Sequence, residues 1–519
     1  MSETDKLLPG LEATEAPPPK ASAQSPAPRA RIKPVDRSQM MMRPVDVERL
    51  IEEDHPARAI WEFVGQLDLS SYEKPVEAVE GVAGRPVWDP RRLISLWIYA
   101  YSRGIASARE ISRRLAYDPA FQWLAGLEVI NHHTLSDFRV AYDSALVELF
   151  TNTLGVMSAE GLVSLERVVH DGTKVRAMAG ADSFRREQTL RSHLEAARQQ
   201  VQAMGDPRAD ESASQRAARQ RAARERTERL EQALEELAKI RQTKSDPKDQ
   251  ESARVSLTDP TSRIMKEGSG GYGPNYNAQI STDAKNKVIV AADVSQNSSD
   301  SGELMPAVER IEQNLEKTPE QLVSDGGFTN RQNIIECAAQ GIDFIGSFPE
   351  HHEQSEGQLR RRGVASEFYV QAFEYDPRQD GYRCPAGELL RRSGQENRPG
   401  VIHYQYRAEA NICAQCRFKE QCCPQNASKG RSITRAVEAP QVHAFKQKMQ
   451  TQEAKAIYRQ RGALAEFPNA WIKEKLGLRR FHVRGLLKAR METWWVCLTY
   501  NIQQWIRLVW RARRIASAG

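Results

Sequence analysis

The chain is 519 residues long, 40% apolar, and carries 74 Lys and Arg against 68 Asp and Glu, a formal charge of +6. That length is too great for one core and calls for two to four structural units. Residues 1–10 lack the apolar stretch of a secretory leader, and no 18-residue apolar window offers a membrane span. The chain therefore reads as cytoplasmic, with its seven cysteines reduced rather than paired.

The positive charge is uneven. Residues 473–514 hold eleven Lys and Arg against two acids, a block suited to a polyanionic partner, most simply nucleic acid. Residues 1–36 are rich in Pro, Ala, Ser and charge and contain no aromatic side chain. Such a composition does not bury enough surface to order itself, so 1–38 reads as a disordered tail.

From Pro44 to Leu154 apolar residues recur at helical spacing. Asp54 as a cap and Pro56 in the first turn open a helix with Ile60, Phe63, Val64 and Leu67 on one face. Asp89 and Pro90 open a second, bearing Leu93, Leu96, Trp97, Ala100 and Tyr101, with Gly104 to stop it. Ser107 and Glu110 read as a capping box for a third helix carrying Ile111 and Leu115. A fourth starts near Thr134 and runs through Phe138, Tyr142, Leu146, Leu149 and Phe150. Short helices with Arg91, Arg92, Arg109, Arg113 and Arg114 turned outward suit a DNA-binding helix-turn-helix, or a plain packing or dimerisation domain, over residues 39–157.

The stretch Leu165–Arg176 (LERVVHDGTKVR) changes character. Leu165, Val168 and Val169 are apolar enough for a buried strand that ends in His170 and Asp171, with Gly172 giving the backbone room beside the carboxylate. A buried strand delivering a carboxylate at a glycine-loosened end is a common way to hold a divalent metal; a strand ending in an Asp turn is the plainer alternative. Phe184 and Tyr272 then bracket 87 residues without an aromatic side chain. Within them Leu230, Leu234 and Leu237 sit among alternating Arg and Glu, the pattern of a helical hairpin or short coiled coil inserted over 183–254 and broken near Gly205–Pro207.

Strand patterning resumes at Tyr276–Ser281, with Lys287–Val294 as its hairpin partner. Leu304, Val308, Ile311 and Leu315 mark an amphipathic helix. Gln321–Asp325 (QLVSD) is another apolar strand ending in Asp before Gly326 and Gly327, and Asp343–Phe348 is one more strand. Two strands sharing an Asp–Gly ending are far rarer by chance than one.

Residues 351–440 interrupt the pattern again. Cys413 and Cys416 have the spacing of a zinc knuckle, and Cys384 with Cys422 or Cys423 would complete a tetrahedral thiolate site. Free thiols and an iron–sulfur cluster are the alternatives. A helix follows near Gln441–Leu464. Pro468 disfavours helix at Phe467 and sets Glu466 at a kink or junction, with Lys473 two turns along the same face. Trp494, Trp495, Leu498, Ile502, Trp505 and Val509 give the last helix, Lys488–Arg514, a face that reads as core rather than membrane.

These stretches resemble the DDE transposases of bacterial insertion sequences, whose catalytic domain is ribonuclease H-like. The likeness spans roughly residues 40–505. It rests on VVHDGTKV around Asp171, DPTSRIMKEGSGGYGPNYNAQ after the coil, VSDGGFTNRQNI around Asp325 and EFPNAWIKEKLGLRRFHVRGLLKARME from Glu466, in that order. Residues 45–140 resemble the helical N-terminal domain of the family. The resemblance implies an α/β fold with a ribonuclease H-like core over 158–182, 255–350 and 441–515, an all-α N-terminal domain, a coiled-coil insertion and a Cys-rich insertion.

It further implies that Asp171, Asp325 and Glu466 form the triad that binds two Mg²⁺ ions, with Mn²⁺ able to substitute. Related transposases carry a tyrosine and an arginine before the glutamate and a lysine after it. Lys473 matches the lysine; Tyr458 and Arg461 are nearest to the other two, Arg461 one residue early for the usual spacing. Chemistry points to the same acids, because carboxylates from two adjacent strands and a facing helix can converge on a metal pair. Lys473, Arg479, Arg480 and Arg484 would hold phosphates near the scissile bond. The expectation is a transposase acting on double-stranded DNA as a homodimer or higher oligomer at the bacterial nucleoid. A nuclease without strand transfer, or a repressor derived from a transposase, is the alternative.

Overall fold

The computed structural model describes residues 40, 42, 44–74, 87–203, 212–268, 270–348, 352–425 and 429–518. The expected tail over 1–38 and the break near Gly205–Pro207 lie outside them.

Of the six longer N-terminal helices, all but the last start where the sequence supplies a side-chain cap. They are α1 (Pro56–Val64), α2 (Pro90–Ser102), α3 (Ala108–Arg114), α4 (Pro119–Ala125), α5 (His132–Ala141) and α6 (Asp143–Ala159). Asp89, Asp118 and Asn131 cap α2, α4 and α5 by accepting from the N–H two residues on. Four expectations need correction. His55, not Asp54, caps α1, its Nδ1 accepting from the Ala57 N–H at 3.2 Å. Ser107 caps α3 through the Glu110 N–H, but Glu110 turns to Arg113 and Arg114, so the box lacks its return bond. The single fourth helix is two, because Tyr142 (φ −123°, ψ 68°) leaves the helical region between α5 and α6. Arg91 does not face outward: it lies 4.0 Å from the Trp61 ring centroid and donates to the Trp61 carbonyl.

The chain next builds a sheet and interrupts it. β1 (Arg167–Arg176) leads into a helical hairpin, α7 (Glu187–Ala203) and α8 (Ala213–Gln242), with its own core of Leu190, Leu194, Ala197, Leu230, Ala233 and Leu237. The hairpin's base is closed by a short pairing of Phe184 with Ser256 and Arg185 with Val255. The sheet resumes with β2 (Arg263–Lys266), β3 (Tyr272–Asp283) and β4 (Ile289–Ser295). Then come α9 (Leu304–Leu315), β5 (Gln321–Val323), α10 (Arg331–Ala339) and β6 (Asp343–Ile345).

Strand order is β2–β3–β1–β5–β6, with β4 also on β3. The first members run antiparallel, whereas β5 and β6 continue from β1 in parallel. Parallel neighbours need crossovers; α9 precedes β5, and α10, absent from the sequence reading, precedes β6. β1 itself does not end at Asp171 as expected. It runs on to Arg176 because the long β3 pairs along it, Asp171 opposite Ile280. Only its parallel side stops early.

The second insertion contains a five-stranded antiparallel sheet: β7 (Glu374–Asp376), β8 (Gly381–Arg383), β9 (Leu389–Arg398), β10 (Val401–Arg407) and β11 (Ser432–Glu438). Two helices follow, α11 (Pro440–Gln450) and α12 (Gln452–Glu474). Their break falls at Thr451, in extended backbone, whose side chain caps α12. The junction expected at Glu466 does not occur: α12 continues through Pro468. Finally α13 (Leu486–Trp505) is buried on nearly every side. Its Trp494 and Trp495 indoles donate to Ala292 and Arg139 carbonyls, and Asn501 bonds both backbone groups of Ile289. α13 thereby joins the helical region to the sheet. No helix among the described residues is long and apolar enough to cross a membrane.

Candidate active site

The parallel ladder between β1 and β5 pairs Val168 with Leu322 and Val169 with Val323, then stops. Asp171 and Asp325 each stand two residues past that last rung. Asp171 is still held on the other edge of β1 by β3. Asp325 lies in a turn, where its Oδ1 accepts from the Gly327 N–H at 2.7 Å and the Thr329 hydroxyl donates to its carbonyl at 3.0 Å. Burial pushes Asp171 up to about 6; Asp325 and Asp300 push the same way and Arg461 opposes them.

α12 crosses β1 with one face down. Gly462, Glu466, Asn469 and Lys473 recur along that face. The Asn469 amide donates to Asp171 Oδ2 at 2.9 Å. Lys473 Nζ donates to Thr173 Oγ1 at 2.5 Å and to the Lys174 carbonyl at 3.0 Å. Burial lowers Lys473 and the Asp171 charge restores part of the difference. The lysine expected to hold phosphate is thus tied to β1. Glu466 sits one turn before Asn469, exposed, its Oε1 3.6 Å from where a Cβ on Gly462 would stand.

Arg479, Arg480 and Arg484 are exposed on the segment after α12. That segment extends the end of β1: the Arg176 N–H donates to the Arg479 carbonyl, and the Phe481 N–H to the Arg176 carbonyl. Arg479 also pairs with Glu474. Glu492 is committed elsewhere, buried against the His482 backbone and ring at 2.9 Å and 4.0 Å from Arg139.

Sequence reading missed Asp300 and Asn469. Three donors converge on Asp300 Oδ1: Asn277 Nδ2 at 2.6 Å, Gln279 Nε2 at 3.0 Å and Lys174 Nζ at 3.4 Å. A Cβ on Gly172 would fall 2.6 Å from that oxygen. A Cβ on Gly327 would fall 3.0 Å from Asp325 Oδ1 and 3.7 Å from Asp300 Cβ. Asp300 is therefore wedged between the two Asp–Gly segments. Asn330 and Asn333 bind the turn after Asp325 to it by donating to the Ser301 carbonyl. A Ser-rich turn before α9 was the only clue in the sequence.

Among the described residues no three His, Cys, Asp or Glu side chains stand grouped so as to hold a metal ion. The donors themselves suit a hard cation: Asp171, Asp325, Asp300 and the buried, unpartnered Oδ1 of Asn469 are all oxygens. Mg²⁺ takes one or two carboxylates and keeps water on its other positions, and the cradle left by Gly172 and Gly327 is filled by carboxylate oxygens. In donor chemistry, though not in their present grouping, the residues fit such an ion.

The five cysteines of the second insertion line one cavity of about 30 Å³, with Phe368, Leu390 and Phe418. Cys413 Sγ accepts from the Arg431 N–H at 3.3 Å and Cys416 Sγ from the Phe418 N–H at 3.4 Å. Burial, with neighbouring thiols adding to it, pushes Cys422 up to about 12 and raises Cys423. Thiol sulfurs met by backbone N–H groups are the donor type that zinc takes, although no three of these cysteines are grouped here as they would be around an ion.

Residues 383–506 match a family model described as "Transposase DDE domain", and residues 45–141 match one described as "Transposase domain (DUF772)". Over those two spans the chain is similar to transposase domains. The first span takes in Glu466, Lys473 and the five clustered cysteines; Asp171 and Asp325 lie outside both. A similar solved structure is the cryo-EM piggyBac transposase synaptic complex with hairpin DNA. It is 7% identical, with a TM-score of 0.29, over 87% of this chain and 73% of that one. No curated protein matches the chain.

Proposed function

We propose that the chain cleaves the ends of an insertion element and joins the freed 3′-hydroxyls to target DNA. The carrying observation is the shared offset of Asp171 and Asp325 beyond their common rung, beneath the Asn469 and Lys473 face of α12. In this reading the sheet, an antiparallel set continued by two parallel strands, is a ribonuclease H-like core over 158–182, 255–350 and 441–515. Residues 183–254 and 351–440 are its insertions.

Asp171, Asp325 and Glu466 would hold two Mg²⁺ ions, or Mn²⁺ in their place. Bound there, the cations would activate the attacking oxygen and stabilise the leaving one. The chain's own side chains do the rest. Asn469 orients the Asp171 carboxylate. Asp300 sets the spacing of the two Asp–Gly segments. Lys473 fixes α12 on β1 and adds positive charge beside Asp171. Arg479, Arg480 and Arg484, exposed beside the end of β1, take phosphates.

The partners in this reading are double-stranded element ends and target DNA, met by a homodimer or higher oligomer at the nucleoid of a bacterial cytoplasm. Cys384, Cys413, Cys416 and one of Cys422 and Cys423 would hold a structural zinc. A strand-transfer assay with paired element ends tests the reading, and joined products are expected. Cleavage without joining would leave a nuclease, and binding without cleavage a repressor.

A further inference from the structure

We propose that Asn469 serves the acidic site with both ends of its amide: Nδ2 positions Asp171, and Oδ1 is an oxygen ligand for the divalent cation. The inference rests on the metal-dependent reading above.

Asn469 is 9% exposed. Its Nδ2 donates to Asp171 Oδ2 at 2.9 Å, while Oδ1 is buried with no hydrogen-bond partner. The orientation is set by charge, since exchanging the two ends would turn a carbonyl oxygen onto a carboxylate. Amide geometry puts Oδ1 about 2.3 Å from Nδ2, so the orphaned oxygen lies within about 5 Å of Asp171 Oδ2. Leaving a buried carbonyl without a partner is unfavourable, because the desolvation of the oxygen goes uncompensated.

Two neighbours in the sequence do not supply a partner in the structure. Pro468 has no N–H, and the Lys473 ammonium is taken by Thr173 and the Lys174 carbonyl. A cation beside Asp171 would supply the missing partner, and amide oxygens are ordinary ligands of hard cations. Asparagine also suits the position better than a further acid. Asp171 already feels Asp325 and Asp300; an amide contributes an oxygen without more repulsion, and a donor that aspartate lacks.

The test is Mn²⁺ binding to the metal-free full chain, followed by electron paramagnetic resonance, for the wild type, Asp171→Asn, Asn469→Ala and Asn469→Asp. Asp171→Asn should lose most affinity. Asn469→Ala should weaken binding by roughly tenfold or more, as removal of a ligand or its orienting partner does. Asn469→Asp, equal in size, should bind at least as tightly as wild type, because it keeps the oxygen and adds charge although it loses the bond to Asp171. If Asn469 only positions Asp171, the Asp variant binds as weakly as the Ala variant and the ligand role is overturned. If Oδ1 merely meets water, Asn469→Ala binds like wild type, which overturns the ligand role as well. Wild type and Asp171→Asn binding alike would instead sink the metal reading itself. Should Asn469→Ala fail to fold, Asn469→Asp carries the decision alone.

Discussion

Asp171 and Asp325 lie equally far, two residues, beyond the rung formed by Val169 and Val323. Neighbouring parallel strands advance together, so equal offsets set two carboxylates side by side at one end of the sheet. Asparagine keeps the shape of each and removes its charge. Asp171→Asn and Asp325→Asn are each expected to keep DNA binding, seen by gel shift, and to lose Mg²⁺-dependent cleavage by about a hundredfold or more. Near-normal cleavage by either variant would remove that residue from the site.

The same crowding makes a prediction about pH. Burial, with Asp325 and Asp300, raises Asp171 from 3.8 to about 6, so the folded chain holds this proton more tightly than the unfolded one. Its contribution to stability is fully present below about pH 4 and is lost as pH rises through about 6. Ionised, it costs the metal-free protein at most about 3 kcal/mol. Asp171→Asn should therefore raise the metal-free melting temperature at about pH 7.5 and change it little below about pH 4. A shift of the same size at both would contradict the environment described for Asp171.

Three glutamates near the C-terminus should separate by phenotype. Glu466→Gln, on the face of α12 that meets β1, should reduce cleavage by roughly a hundredfold with an unchanged melting temperature. Glu474→Gln, exposed beside Arg479, should change rates only a few-fold. Glu492→Ala should do the reverse of Glu466→Gln. It strands Arg139 and His482, destabilising the protein by on the order of 3 kcal/mol, which chemical denaturation would register.

The Cys-rich sheet is expected to carry about one zinc per chain, a structural tetrahedral site being filled once. Elemental analysis of protein purified without chelator checks this. Cys413→Ser and Cys416→Ser should each lose the metal and lower the melting temperature while Mn²⁺ binding near Asp171 persists. Iron in place of zinc, or no metal at all, would refute the assignment.

How much was legible follows from how local each cause was. α2 could be read from Asp89, Pro90 and the spacing of Leu93, Leu96 and Trp97 because its cap and its apolar face lie within one segment. The apolar run before Asp171 was legible for the same reason. The end of β1 was not, since β3 decides it, with His170 and Ser281 meeting from 111 positions apart. Pro468 was expected to break α12, but Asn469 and Lys473 fasten the following turn to β1 and the helix continues. Asp300 had only a Ser-rich turn to mark it, because the assembled sheet is what brings Asn277, Gln279 and Lys174 to its oxygen.

The helical hairpin α7–α8 also bears on how the chain finds its fold. Pairing β1 with β3 means closing a very long loop, and such closure is slow because chain entropy is surrendered before contacts repay it. α7 and α8 bury Leu190, Leu194, Leu230 and Leu237 against each other, contacts that need nothing from the sheet. Once the hairpin zips, Phe184–Arg185 meets Val255–Ser256 at its base, and what β1 and β3 must still bridge is a short span. Formed first, the hairpin would act as a folding staple, making a distant pairing local before either aspartate has a place to stand.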